Sequence, residues 1–347
     1  MSKIRKRSEE ISRFIIENVE KNPMGICRLT SQKFNVSMQA VNNHIRRLIA
    51  SNLIVAKGTT RARSYKLCPL VEWRETYHVG KNSAEDVVWR NDVSAVIGKM
   101  PDNIIDIWHY GFTEMFNNAI DHSAGTEIWV YIRKDALNTE MMLHDNGVGI
   151  FAKIQRELGL DDEKHAILEL TKGKLTTDPH HHTGEGIFFT SRMFDSFDIL
   201  SGGVYFTHKF GDTHDWILDS DNIKGGTSVW MKLNNNTART TKKIFDKFLS
   251  GDDYGFNKTI IPVELARYGN DKLISRSQAK RLMARVELFK VVVFDFKGIE
   301  SVGPAFADEI FRVFSRDHPG IDMHCINVNK EVEAMINKAK SSATEAG

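Results

Sequence analysis

The strongest constraint on the fold is a series of four polar, glycine-bearing motifs between Trp108 and Leu233. The first is WHYGFTEMFNNAIDHS, Trp108–Ser123. Glu114 and Asn118 are spaced i,i+4, so a helix presents both on one face. Phe112, Met115, Phe116, Ala119 and Ile120 can bury its other side. A carboxylate beside an amide suits one kind of chemistry, in which the carboxylate takes a proton from water or a hydroxyl while the amide oxygen holds Mg²⁺. The second motif, MMLHDNGVGI (Met141–Ile150), is an apolar strand ending in Asp145-Asn146-Gly147-Val148-Gly149. Alone, its Asn-Gly signals no more than a hairpin turn. In the third, Gly184-Glu185-Gly186 precedes a helix over Ile187–Phe194. Glycines there let backbone N–H groups approach phosphate oxygens. The fourth, Gly225-Gly226-Thr227-Ser228, leads into the strand Val229–Leu233.

Taken in this order, the motifs resemble the ATP-binding domain shared by gyrase, the Hsp90 chaperone, MutL, histidine kinases and anti-sigma-factor kinases, the GHKL or HATPase α/β sandwich (Bergerat fold). Glu114, Asn118 and Ala119 match its Glu-x-x-x-Asn-Ala box. Asp145, Gly147 and Gly149 match Asp-x-Gly-x-Gly, Gly184 and Gly186 the second glycine box, and Gly226-Thr227 the late Gly-Thr. The resemblance implies a domain over residues 69–240 with ATP and Mg²⁺ as cofactors. Asn118 would hold the metal and Glu114 would be the general base. Asp145 would accept from the adenine amino group, supported by Thr227 through water. Gly147 and Gly149 would close over the nucleotide, and Gly184, Glu185 and Gly186 would give N–H groups to the phosphates. Residues 151–186 would form the ATP lid, with Lys172 and Lys174 as its phosphate-contacting cations. Asp121 stands where histidine kinases carry Lys, and His122 is closer to the anti-sigma kinases, so the chain follows no single branch. The run His180–His182 falls in this lid; three histidines in one loop rarely reach one ion, so a polar loop is expected rather than a zinc site.

Residues 1–68 carry 14 Lys and Arg against 4 Asp and Glu, a net +10, whereas the whole chain is only +2. A basic block on an acidic body points to a polyanion partner. Apolar spacing predicts helices over residues 4–20, 26–34 and 38–51, the last capped by Ser37 and buried through Val41, Ile45, Leu48 and Ile49. A strand from Leu53, a turn at Lys57–Thr60 and a return over Arg61–Leu67 follow. The order resembles a winged helix-turn-helix. That fold implies DNA binding, with Gln39, Asn42, Asn43 and Arg46 on the helix that enters the major groove. Lys57, Arg61 and Arg63 on the wing would meet phosphates.

Residues 255–343 alternate strand and helix, which predicts a small α/β domain. Strands are expected over 259–265, 291–296 and 321–328, and helices over 275–289, 304–315 and 330–340. The apolar run Val291–Phe296 suits a buried central strand. VVVFDFKGIESVGPAFADEIFRVF (Val291–Phe314) resembles the STAS domains of anti-anti-sigma factors, and a STAS-like family of unknown function that follows HATPase domains. The serine that such domains phosphorylate falls on Ala305, which cannot accept phosphate; Ser301 is displaced from that place. The implied role is a module for binding a partner protein or forming a homodimer.

No run of about 18 apolar residues is present, so no membrane span is expected, and three scattered cysteines suit a reducing cytoplasm. The composite expectation is an ATP-controlled, DNA-binding transcriptional regulator with slow Mg²⁺-dependent ATP hydrolysis. The alternative is a protein kinase of the anti-sigma-factor type, acting on a Ser or His of a partner.

Overall fold

A computed structural model describes residues 3–59, 62–80, 84–175, 184–211, 216–249, 255–267 and 271–344. The chain is a multidomain mixed α/β protein. Its first module contains α1 (Lys3–Asn18), α2 (Ile26–Phe34), α3 (Met38–Ala50) and the antiparallel pair β1 (Ile54–Lys57) and β2 (Ser64–Leu67). Ser37 caps α3 by accepting from the Ala40 N–H at 3.2 Å, satisfying one of the free amides of the first turn. Ile11, Ile15 and Val19 meet Ile26, Val41, Ile45 and Leu48 in a small core of their own. Among the described residues, the hydrophobic side chains that reach it from the central domain are Ala136 and Leu137 of a turn.

The central domain is a five-stranded antiparallel sheet in the order β3-β4-β5-β7-β6. The strands are β3 (Val71–His78), β4 (Glu127–Lys134), β5 (Asn138–Asp145), β6 (Ser196–Lys209) and β7 (Trp216–Asn234). Burial alternates along β4 and β5, so Ile128, Val130, Ile132, Met141 and Leu143 share the covered face. Helices lie on that face. After α4 (Glu85–Val88) and α5 (Ser94–Ile97), joined by a π-helical turn Trp89–Val93, comes the long α6 (Asp102–His122). Its Trp108, Phe112, Met115 and Phe116 are buried. Next come α7 (Ile150–Leu158), α8 (Glu163–Lys172), α9 (Gly186–Met193) and α10 (Thr241–Phe248).

The C-terminal domain has three parallel strands in the order β10-β9-β8: β8 (Lys258–Pro262), β9 (Val291–Asp295) and β10 (Asp322–Ile326). β9 is central, as its apolar run requires, with Val292, Val293 and Phe294 buried. The helices are α11 (Arg276–Met283), then α12 (Pro304–Asp308) and α13 (Ser315–Asp317) joined by a π-helical stretch Glu309–Phe314, and finally α14 (Lys330–Thr344). Several boundaries differ from the sequence expectation, two of them for a visible local reason. The first strand stops at Pro262, before a 3₁₀ turn Val263–Ala266. The helix capped by Ser275 ends at Met283 because Arg285 takes a left-handed conformation, φ 60°.

The C-terminal and central domains share one continuous hydrophobic core. Phe256 lies 4.6 Å from Phe188, 5.0 Å from Phe189 and 5.5 Å from Phe289, ring centre to ring centre. Among the described residues, no helix is long and apolar enough to cross a membrane.

Candidate functional site

A cavity of about 290 Å³ opens between α6, the end of β5, α8 and the start of α9. Glu114 and Asn118 line it from α6, Asp145 from β5, Thr227 from β7, and Gly184 and Gly186 from the approach to α9. Residues separated by more than a hundred positions thus converge on one space. Its remaining walls are largely apolar, with Leu143, Ile154 and Val229 among them.

Asp145 is only 5% exposed. Its Oδ1 accepts from the Gly147 N–H at 2.9 Å. Burial pushes its carboxyl above the ordinary range, opposed by the backbone N–H groups of Gly147 and Thr227 and by His144. Around it the backbone folds tightly. Gly226 has φ 90°, and a side chain there would collide with the Asp145 carbonyl oxygen. The Ile150 N–H donates to Thr227 Oγ1 at 3.0 Å, tying the end of the second motif to the fourth.

On the opposite wall, burial again raises the Glu114 carboxyl, and the charges of Glu185 and Glu85 add to it. Gly186 packs so closely that any side chain would strike the Glu114 carboxylate. Burial also raises Glu185, against the pull of Lys174. A site with three carboxyls that resist ionising, Asp145, Glu114 and Glu185, is a place where proton transfer or a bound cation alters the local balance.

Glu185, Gly147 and Gly149 support the walls without lining the cavity. Gly149 caps α7, and Glu185 occupies the N-cap of α9. Two residues at the site carried no sequence signal. Lys153 of α7 lines the cavity, its Nζ donating to the His122 carbonyl at 3.0 Å. Tyr110, half-buried on α6, has its phenol raised by burial and by the charges of Glu114 and Glu185.

The expected lid cations stand elsewhere. Lys172 is 1% exposed and bonds Glu169 and the C-terminal domain; Lys174 Nζ donates to the Leu288 carbonyl at 2.9 Å. The reason is that α8 is buried nearly all round: Ala166, Ile167, Leu168 and Leu170 lie inside the fold, and so do the polar His165, Glu169 and Thr171. Residues 150–175 are therefore mostly packed helix. His180–His182 and Thr183 lie outside the described residues.

In the N-terminal module, Gln39, Asn43 and Arg46 are exposed along α3, and Lys57 and Arg63 are exposed on the hairpin. Asn42 is half-buried and accepts from the Cys27 thiol at 3.7 Å. Arg61 lies outside the described residues. Ala305 occupies the first turn of α12, directly after β9 and its loop.

No curated protein matches the chain. Residues 278–333 match the family model described as a STAS-like domain of unknown function (DUF4325), which gives the C-terminal domain its place: it is similar to that family from within α11 to the start of α14.

Proposed function

We propose that the protein is an ATP-binding regulator whose nucleotide state controls how its N-terminal module binds DNA. The central domain would be a GHKL-type ATP-binding domain and residues 1–68 a winged helix-turn-helix. The observation that carries this reading is the convergence of Glu114, Asn118, Asp145, Thr227, Gly184 and Gly186 on one cavity.

The residues fit an adenine nucleotide. Asp145 is a buried acceptor whose charge is favoured mainly by backbone N–H groups, so an amino donor on a flat apolar ring complements it. Leu143, Ile154 and Val229 offer the apolar surfaces for such a ring. At the far end, Asn118 offers an amide oxygen to Mg²⁺, which retains waters and phosphate oxygens as its other ligands. Bound Mg²⁺ would offset the crowding of Glu114 and Glu185 and lower the Glu114 carboxyl. Glu114 would then be ionised and able to take a proton from water. Lys153 is the cation on the cavity wall nearest in kind to a phosphate partner. The N-terminal module supplies a net +10 and an exposed row of Gln39, Asn43 and Arg46 on α3, which suits the major groove.

The test is DNA binding at fixed salt, with and without Mg-ATP, for the wild type and Asn118→Ala. Wild-type affinity is expected to change with nucleotide, and the variant's is not. Equal wild-type affinity in both conditions overturns the control by ATP. Label transferred to a partner protein, in place of free phosphate, would favour the kinase alternative.

A further inference from the structure

The C-terminal domain packs against α8 and the turn after it, a segment that forms part of the cavity wall. Lys172, the last residue of α8, is buried with its Nζ 2.6 Å from Glu169 Oε1 and 2.7 Å from the Ala284 carbonyl oxygen. Burial lowers the lysine, while the Glu169 charge supports it. Burial alone would raise Glu169; His165 and Lys172 hold it below the ordinary range. The Thr259 hydroxyl of β8 donates to the Lys172 carbonyl at 2.7 Å. Two residues on, Lys174 Nζ donates to the Leu288 carbonyl and lies 5.0 Å from the centre of the Phe289 ring. Arg285 returns a bond to the Lys174 carbonyl.

Lys174 and Arg285 are both left-handed, φ 55° and 60°, a conformation that non-glycine residues adopt at a cost. That they face each other across the contact means the docking holds both in place. The same segment forms the cavity wall. Leu170 and Leu175 line it, and the Leu175 N–H donates to the Gly184 carbonyl at 3.1 Å, fixing the approach to α9.

We propose that the STAS-like domain is the anchor of the cavity's α8 wall, with Lys172 and Lys174 as positioning residues, so that docking of this domain and nucleotide binding are coupled. The proposal rests on the nucleotide reading of the cavity. Freed from its carbonyl partners, Lys172 carries a buried charge with too few acceptors, and α8 shifts with it. Leu170, Leu175 and Gly184 then lose their places on the wall. Coupling is reciprocal: what docking does for nucleotide affinity, nucleotide does for docking.

The experiment uses the full chain and measures the affinity and dissociation rate of Mg-ATP, with hydrogen exchange over residues 258–262 and 276–288. Lys174→Met and Thr259→Val each remove part of the anchor and keep the core filled; Lys172→Met is the severe form. Nucleotide is expected to dissociate about tenfold faster from Lys174→Met and Thr259→Val. In the wild type, bound nucleotide should slow exchange in both C-terminal segments. Unchanged dissociation in both milder variants, or C-terminal exchange indifferent to nucleotide, overturns the proposal. A wild type that binds no adenine nucleotide overturns the reading of the cavity instead. The anchor is then read from nucleotide-free exchange at 186–193: faster in Thr259→Val and Lys174→Met if it holds that wall, unaltered if it does not.

Discussion

The two terminal modules are attached to the central domain in opposite ways. The N-terminal one closes its own core around Ile15, Val41 and Ile45, and among the described residues takes in the hydrophobic Ala136 and Leu137 from its neighbour. The C-terminal one has no separate core: Phe256, Phe289 and Val292 belong to the same buried cluster as Phe188 and Met231. Beside that apolar seam lie the buried Glu169–Lys172 pair and the Thr259 bond. A module with its own core keeps its shape when it moves. One that shares a core moves only by exposing apolar surface, so its displacement and the state of the shared core are one event.

Removal of each module gives the largest test of this contrast. Residues 69–347 are expected to stay folded, with near-native melting of the central domain. Residues 1–254 should lose the cooperative transition, since Phe188, Phe189 and Phe248 would lose Phe256; calorimetry of the two fragments decides. At single residues, Phe256→Ala is expected to cost about 3–5 kcal/mol in denaturant unfolding. Leu137→Ala, at the thin N-terminal contact, should cost about 1 kcal/mol or less. Equal losses would dissolve the contrast.

A smaller effect separates the cavity from the C-terminal seam by pH. The Glu114, Asp145 and Glu185 carboxyls are raised in the fold. Each contributes stability that is fully present below the ordinary carboxylate range and is lost as pH rises through its raised value. Asp145→Asn is therefore expected to raise the melting temperature of the nucleotide-free protein at neutral pH, with the gain fading on acidification. Glu169 is depressed, so its contribution is present above the ordinary range and lost as pH falls through its folded value. Glu169→Gln should show the reverse trend: its deficit is largest near neutrality and shrinks in acid. Melting curves of both variants across pH give the comparison.

Much of this was legible locally. Ser37 announces the start of α3, and the apolar run at Val291 announces a central strand. The i,i+4 spacing puts Glu114 and Asn118 on the same cavity wall. The lysines of the supposed lid were not legible, because their partners, the Ala284 and Leu288 carbonyls, lie more than a hundred residues away and carry no side-chain signature. The usable signal was the apolar stretch Ala166–Leu168 with Leu170, which asks for burial even though His165 and Glu169 stand i,i+4 beside it. Lys153 was missed for a similar reason: only the packing of α7 turns it toward the cavity. The end of the helix at Met283 was hidden because Arg285 is a residue that seldom adopts a left-handed backbone.

The β4–β5 hairpin has a mechanical consequence. Its turn, Ala136–Leu137, is where the N-terminal core touches the central domain, and its far end is Asp145. β5 between them is eight residues long, about 25 Å of extended chain, bonded on both edges by β4 and β7. A strand held on both sides cannot bend independently at its middle. It works as a strut: the Asp145 end and the turn beneath the basic module belong to one stiff element and keep a fixed spacing.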